Sequence, residues 1–435
     1  MDRRTFLASC TVPFVPASLS GCRARALAVA SELEQHAGTA QEIARDEDFW
    51  FQVQGAFEVD RSMVNFNNGG VSPSPASVQR ALARHNAFAN EAPAYKMWQV
   101  LEPQKESVRE RLARQFGASA EETAIVRNAS EGLQICQQGF DLRPGDEVLC
   151  TTQDYPRMVT TFHQRERREG IVLRQFKIPT PLTDPAEVVR LYESNITDKT
   201  RLILVCHMIN LTGQILPVRE VVALGRARGI PVIVDGAHSF AHFAFDLSDL
   251  DCDYFATSLH KWLFAPFGTG MLYVRREKIH DLWPLMAAEE KQTDDIRKFE
   301  QFGTHPVPIF LAIADAITFH EAIGIERKEA RLVHLRDRWI ERLKRHDRLR
   351  LNTNVAPRMA AGIANVGIDG VDTAALQAWL WNEHRIYTIG IVHATPWGEP
   401  EIDGLRVSPS VYSTLQEIDR FATAMEQVLD KGLPS

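Results

Sequence analysis

The sequence predicts an α/β fold, a large domain on a mainly parallel sheet followed by a smaller C-terminal α+β domain. Seven short β-branched or aliphatic runs lie between residues 124 and 274, most of them separated by segments of helical length. That alternation is the pattern of strands covered on both faces by helices. Polar residues follow these runs directly, where ligands gather at the carboxyl ends of parallel strands. Beyond residue 309 the pattern changes to a charged amphipathic stretch, Ile309 to Arg348, and then to shorter strand-like runs.

Taken in order, Arg3-Arg4-Thr5-Phe6-Leu7 is a twin-arginine start leading into a short apolar stretch that Pro13 and Pro16 interrupt. It is too short and broken for a permanent membrane span. Leu19-Ser20-Gly21-Cys22 resembles a bacterial lipobox, with a lipid anchor expected at Cys22; Ala28-Val29-Ala30 is a competing cleavage site. Together they imply export of a folded protein by the twin-arginine route to a periplasmic or extracytoplasmic location. A chance Arg-Arg in a cytoplasmic protein is the alternative.

Residues 1–22 are thus the expected signal, 23–45 an Ala-, Glu-, Gln- and Arg-rich tether, and 46–75 an N-terminal segment. The large domain is expected over 76–308 and the small one over 309–435. Ser74-Pro75 reads as a cap with proline at the first helical position, opening a helix towards Asn90. A second helix is predicted from Pro103 to Phe116, with Gly117 stopping it. The strands follow at 124–127, 147–150, 171–173, 201–205, 231–234, 253–257 and 270–274. In the small domain, strands are expected around Ala364-Asn365-Val366 and Leu405-Arg406-Val407-Ser408, and a closing helix from Leu415 to Asp430.

With 435 residues, 45% apolar and 24% charged, the chain can bury a sizeable core. The net charge of −7 comes without a basic stripe or aromatic–basic interleaving, so nucleic acid is not an expected partner. The six cysteines show no metal-type spacing, so no metal site is expected. Most read as buried small hydrophobes, with one disulfide left open.

The candidate chemistry centres on Ser258-Leu259-His260-Lys261-Trp262, followed by Phe267-Gly268-Thr269-Gly270. A lysine amine in that setting suits capture of an aldehyde, here pyridoxal 5'-phosphate held as a Schiff base. Asp235-Gly236-Ala237-His238 precedes it by 26 residues from Asp to Lys, and Asn128-Ala129-Ser130-Glu131-Gly132 opens a helix after a strand.

This ordered set resembles the class V aminotransferase group of fold-type I pyridoxal phosphate enzymes, over roughly Asn65 to Leu429. That resemblance implies a mainly parallel seven-stranded sheet in the large domain. By it, Asp235 faces the cofactor's ring nitrogen. Ser130 and its helix form a phosphate cup that Ser258 and His260 extend. Glu131 stands beside the cup, its carboxylate directed to the helix terminus. Asn210 and His238 match positions that hydrogen-bond the phenolic oxygen; many relatives carry glutamine where this chain has His238. Tyr155 takes the place of a ring-stacking histidine, and core packing is its alternative. Thr304 resembles a residue reaching the phosphate of the neighbouring subunit, which implies a homodimer. Arg406 matches the arginine that grips the substrate α-carboxylate. Asn68, with Gly69, resembles a loop closing over the substrate.

The expected reaction starts with Lys261 removing a Cα proton from an amino acid or peptide-like substrate oriented by Arg406. Cysteine desulfurases use a loop thiolate, whereas no cysteine follows Cys252 here. Epimerisation needs a second acid, for which Tyr155 and His393 are the candidates. Asn67-Asn68-Gly69-Gly70, Gln153-Asp154-Tyr155-Pro156 and Arg406-Val407-Ser408-Pro409 lean to the isopenicillin N epimerase-like branch. The expectation is an exported aminotransferase or epimerase; the alternatives are a lyase eliminating a C–S bond or side chain and a membrane-tethered, non-catalytic binding protein.

Overall fold

The computed structural model describes Leu33 and residues 36–434. The twin-arginine and lipobox readings, with Cys22, lie outside the described residues. Within the expected tether, the described part is packed. Thr39 caps the short helix Ala40–Ile43, and Leu33 and Ile43 are buried. From the helix Ile325–Leu343, Arg327 donates to the Leu33 and His36 carbonyls and Arg331 to that of Ala44.

The strands are β1 Val64–Asn65, β2 Thr123–Val126, β3 Glu147–Thr151, β4 Val172–Phe176, β5 Thr200–Cys206, β6 Val232–Asp235 and β7 Tyr254–Ser258. They continue as β8 Gly270–Val274, β9 Leu349–Leu351, β10 Ala364–Ile368, β11 Ile386–Tyr387, β12 Ile389–Ala394 and β13 Pro400–Val407. Seven form the large sheet in the order β2-β8-β7-β6-β5-β3-β4, as expected. All neighbours run parallel except β8, which is antiparallel to β2 and β7. The segment between β7 and β8 is too short for a crossover helix, so the chain must reverse there.

Alternation along the strands fills both faces. Ile203, Val205, Val232 and Val234 face one core with the helices Pro185–Asn195 and Val218–Ala227. Leu202, Leu204, Ile233 and Ala256 face the other, with the helices Ala129–Gly139 and Pro156–Glu169. Fully burying each such aliphatic side chain stabilises the fold by about 1.5–3 kcal/mol. Gly236 is a packing requirement: a Cβ there would lie 1.9 Å from the Phe255 ring.

Two helix readings meet different ends. Lys105–Phe116 stops at Gly117, whose φ of 72° is left-handed, as its sequence demands. The helix Ala76–Asn90 starts after Pro75 without a side-chain cap; Ser74 instead donates its hydroxyl proton to the Ala265 carbonyl. That bond ties the N-terminal segment to the turn following Lys261.

The amphipathic stretch is broken by Gly324, at φ 84°, between the helices Ile313–Ile323 and Ile325–Leu343. The small domain has an antiparallel sheet in the order β12-β13-β10-β9 and the closing helix Leu415–Lys431. A parallel pair, β1 with β11, joins the N-terminal segment to it.

Candidate active site

The site begins where β2, β6 and β7 end and β8 starts. Asn128 caps the helix Ala129–Gly139 by accepting the Glu131 N–H at 2.9 Å, and Ser258 Oγ accepts that of Ala129 at 3.0 Å. Gly270 lets β8 pass this corner, since a Cβ there would lie 2.6 Å from Asn128 Cα. Among the described residues no hydrogen bond engages Ser130 in that first turn, so its N–H and hydroxyl are open to an anion at a positive helix end. Ser258 keeps its own hydroxyl proton to donate. Glu131 is placed otherwise: its carboxylate accepts the Arg127 N–H at 2.6 Å and the guanidinium Nε at 2.9 Å. It orders the entry to the helix, its carboxylate directed to the terminus and committed to Arg127.

Asp235 ends β6, buried, and accepts the Ala237 N–H at 2.9 Å. Burial raises its carboxyl, against the Ala237 N–H and the Lys261 charge. The Lys261 amine is lowered to about 8 by burial, with Asp235 opposing the shift and Arg406 adding to it. Lys261 Nζ is 3.0 Å from His238 Nε2. Burial, then Lys261, holds His238 well below the ordinary histidine range, so Nε2 can accept while a proton resides on Nδ1. His238 Nδ1 and Asn210 Oδ1 are buried with no partner. His260 Nδ1 donates to the Thr269 carbonyl at 3.2 Å, and burial lowers that ring to about 4.

Arg406, at the end of β13, is buried and donates to the Asn210 carbonyl at 2.8 Å and to Asn67 Oδ1 at 2.7 Å. Burial lowers it to about 10, with Tyr155 and Tyr387 acting weakly the other way. Tyr155 is 38% exposed and Tyr387 42%, which leaves both phenols reachable from solvent.

Asn68 does not take the expected role. It is fully buried, donates to the Asn65 and Ser408 carbonyls and accepts the Tyr412 hydroxyl at 2.6 Å. Asn67 is the residue that meets Arg406. Thr304 is exposed and hydrogen-bonds to none of these groups within the chain. His393 Nε2 donates to the Thr152 carbonyl at 2.9 Å, beside Glu401, so that nitrogen is engaged in the loop ahead of Tyr155. Asp154, next to Tyr155, is buried and lifted to about 7, chiefly by burial. Its Oδ2 accepts two Thr151 donors while Oδ1 has none.

These groups fit pyridoxal phosphate. An open helix terminus suits a phosphate, a buried carboxylate suits a protonated ring nitrogen, and the orphaned His238 and Asn210 atoms suit a phenolic oxygen. Lys261, with a depressed amine, stands among them. A planar substrate carboxylate would find the unpartnered Nε of Arg406. The four described cysteines, Cys136, Cys150, Cys206 and Cys252, are free and buried.

A family model described as aminotransferase class-V matches residues 64–421. The chain is 30% identical over 403 residues to an isopenicillin N epimerase of Streptomyces clavuligerus, covering 87% of this chain and 98% of the relative. It is 25% identical over 389 residues to a probable cysteine desulfurase of Xylella fastidiosa strain 9a5c, covering 85% and 91%. Among solved structures it resembles a C-DES mutant with glycine covalently linked to the PLP cofactor. That match has a TM-score of 0.72 at 24% identity and covers 83% of this chain and 96% of the other.

Proposed function

The chain belongs to the aminotransferase class-V family, and from this premise we propose that it inverts the Cα of an amino acid or peptide-like metabolite, in the manner of an epimerase. Pyridoxal phosphate is the cofactor, and when bound it supplies an aldehyde that captures the amine and a ring that accepts the electron pair released at Cα. Ser130, Ser258 and His260 would hold its phosphate, Asp235 its ring nitrogen, His238 and Asn210 its phenolic oxygen, and Lys261 its carbonyl carbon.

Arg406 holds the substrate carboxylate in a fork already aimed by Asn210 and Asn67. Lys261, neutral above about pH 8, takes the Cα proton at Nζ. The observation that supports the epimerase reading is Tyr155, partly exposed at the start of the helix Pro156–Glu169 after β3, a phenol separate from the Lys261–His238 pair and able to give a proton at Cα. The isopenicillin N epimerase relative supports the same reading.

A lyase breaking a C–S bond is the second reading, favoured by the desulfurase relative. The absence of any cysteine after Cys252 weighs against a form that needs a loop thiolate. A homodimer completed by Thr304, and export through the twin-arginine start, belong to the same proposal. To test the reaction, the holoenzyme is incubated with a panel of amino acids and dipeptides in deuterated water. Deuterium at Cα with inversion and no keto acid is expected. Keto acid without inversion, or release of sulfide, would show that another reaction is the true one.

A further inference from the structure

We propose that Glu401 is a positioning residue that, from the small domain, fixes the loop leading into Tyr155; this rests on the reading of Tyr155 given above. Glu401 lies on β13, five residues before Arg406, and its side chain is wholly buried. A carboxylate is seldom buried unless it is held by donors. Here the donors come from the large domain. Glu401 Oε1 accepts the Thr152 hydroxyl at 2.8 Å and the Gln153 amide at 2.8 Å. The His393 ring, 3.5 Å from Oε2, donates to the Thr152 carbonyl at 2.9 Å.

Burial would raise the Glu401 carboxyl, but the nearby His393 ring and the Gln153 and Thr152 donors outweigh it and keep it below the usual range. Two consecutive residues of the loop after β3 are therefore gripped by one strand pair of the small domain. Asp154, the next residue, is anchored on Thr151. Tyr155 has no side-chain cap bond at the start of its own helix, so its place follows from the residues before it. One strand thus carries both the Arg406 guanidinium and the carboxylate that holds the loop leading into Tyr155.

The test uses the full-length holoenzyme without substrate. Hydrogen–deuterium exchange over residues 151–158 is expected to speed up about tenfold in Glu401→Ala, the scale of one lost charge-assisted bond in a local opening. Glu401→Gln, which keeps an acceptor for Thr152 and Gln153, restores most of the protection. Glu399→Ala, in the exposed turn of the same hairpin, leaves it unchanged. The visible circular dichroism of the bound cofactor is expected to change alike in Glu401→Ala and Tyr155→Phe, with the double variant matching Tyr155→Phe. Wild-type exchange over 151–158 in Glu401→Ala, or loosening spread evenly over the chain, overturns the proposal. A loosened loop with an unchanged spectrum in Tyr155→Phe upholds the Glu401 link and removes Tyr155 from the site.

Discussion

Lys261 Nζ lies 3.0 Å from His238 Nε2, and the two residues are also tied through the backbone. Trp262 stacks on His242 at 3.7 Å between ring centroids. His242 accepts the Gly362 N–H at Nε2 and donates from Nδ1 to the His238 carbonyl. The lysine and its neighbour therefore close a circuit through two histidines, all in a buried setting that disfavours an added charge.

The first consequence is a pH dependence of cofactor capture. Only the neutral amine attacks an aldehyde, and burial lowers the Lys261 amine to about 8. Below that value the capture rate of pyridoxal phosphate by apoenzyme should fall about tenfold per pH unit, and above it the rate should level off. Stopped-flow absorbance checks this; a rate still climbing at pH 10 would mean an ordinary lysine.

Asp235→Asn separates two roles of that carboxylate. Asp235 opposes the burial shift on Lys261, so its loss moves the bend in the capture profile below pH 8. Turnover falls by roughly 10²–10⁴-fold as the charge facing the ring nitrogen is lost, while the cofactor still attaches. Capture kinetics and turnover on the same preparation read both.

Neighbouring asparagines should respond in opposite ways. Asn68→Ala strips partners from buried carbonyls and from the Tyr412 hydroxyl, so it costs about 1–3 kcal/mol of stability. Asn67→Ala leaves stability nearly intact and raises KM, since only the aim of Arg406 is lost. Thermal melts paired with steady-state kinetics distinguish them.

Tyr155→Phe keeps the ring and removes the proton. Cα deuterium exchange should continue through Lys261, while inversion falls by about 10²-fold or more. Chiral analysis of substrate recovered from deuterated water measures the split; equal inversion in the variant assigns the second acid elsewhere.

The sheet was readable because each strand is a dense apolar run between helical segments, and its ends carry polar residues for which a core has no use. Asn68 departs from its expected place for a reason the chain itself shows. Val64, Phe66 and Asn68 are all buried while Asn65 and Asn67 are less so, and strict period-2 reading from Val64 would have turned Asn68 inward and Asn67 towards the site. Ser74 offered a capping pattern, yet its hydroxyl is drawn to Ala265 by the tertiary fold. Glu401 had no local signal at all: it sits in an acidic hairpin, and its partners lie 248 and 249 positions away in sequence.

The central claim is that Lys261 is the residue that holds the cofactor. Borohydride reduction of the holoenzyme followed by peptide mapping tests it most directly. A pyridoxyl group on the peptide containing Lys261, absent from Lys261→Ala, is the expected result. An adduct on another lysine, such as the buried Lys328 that donates to the Trp262 carbonyl, or no adduct at all, would contradict it.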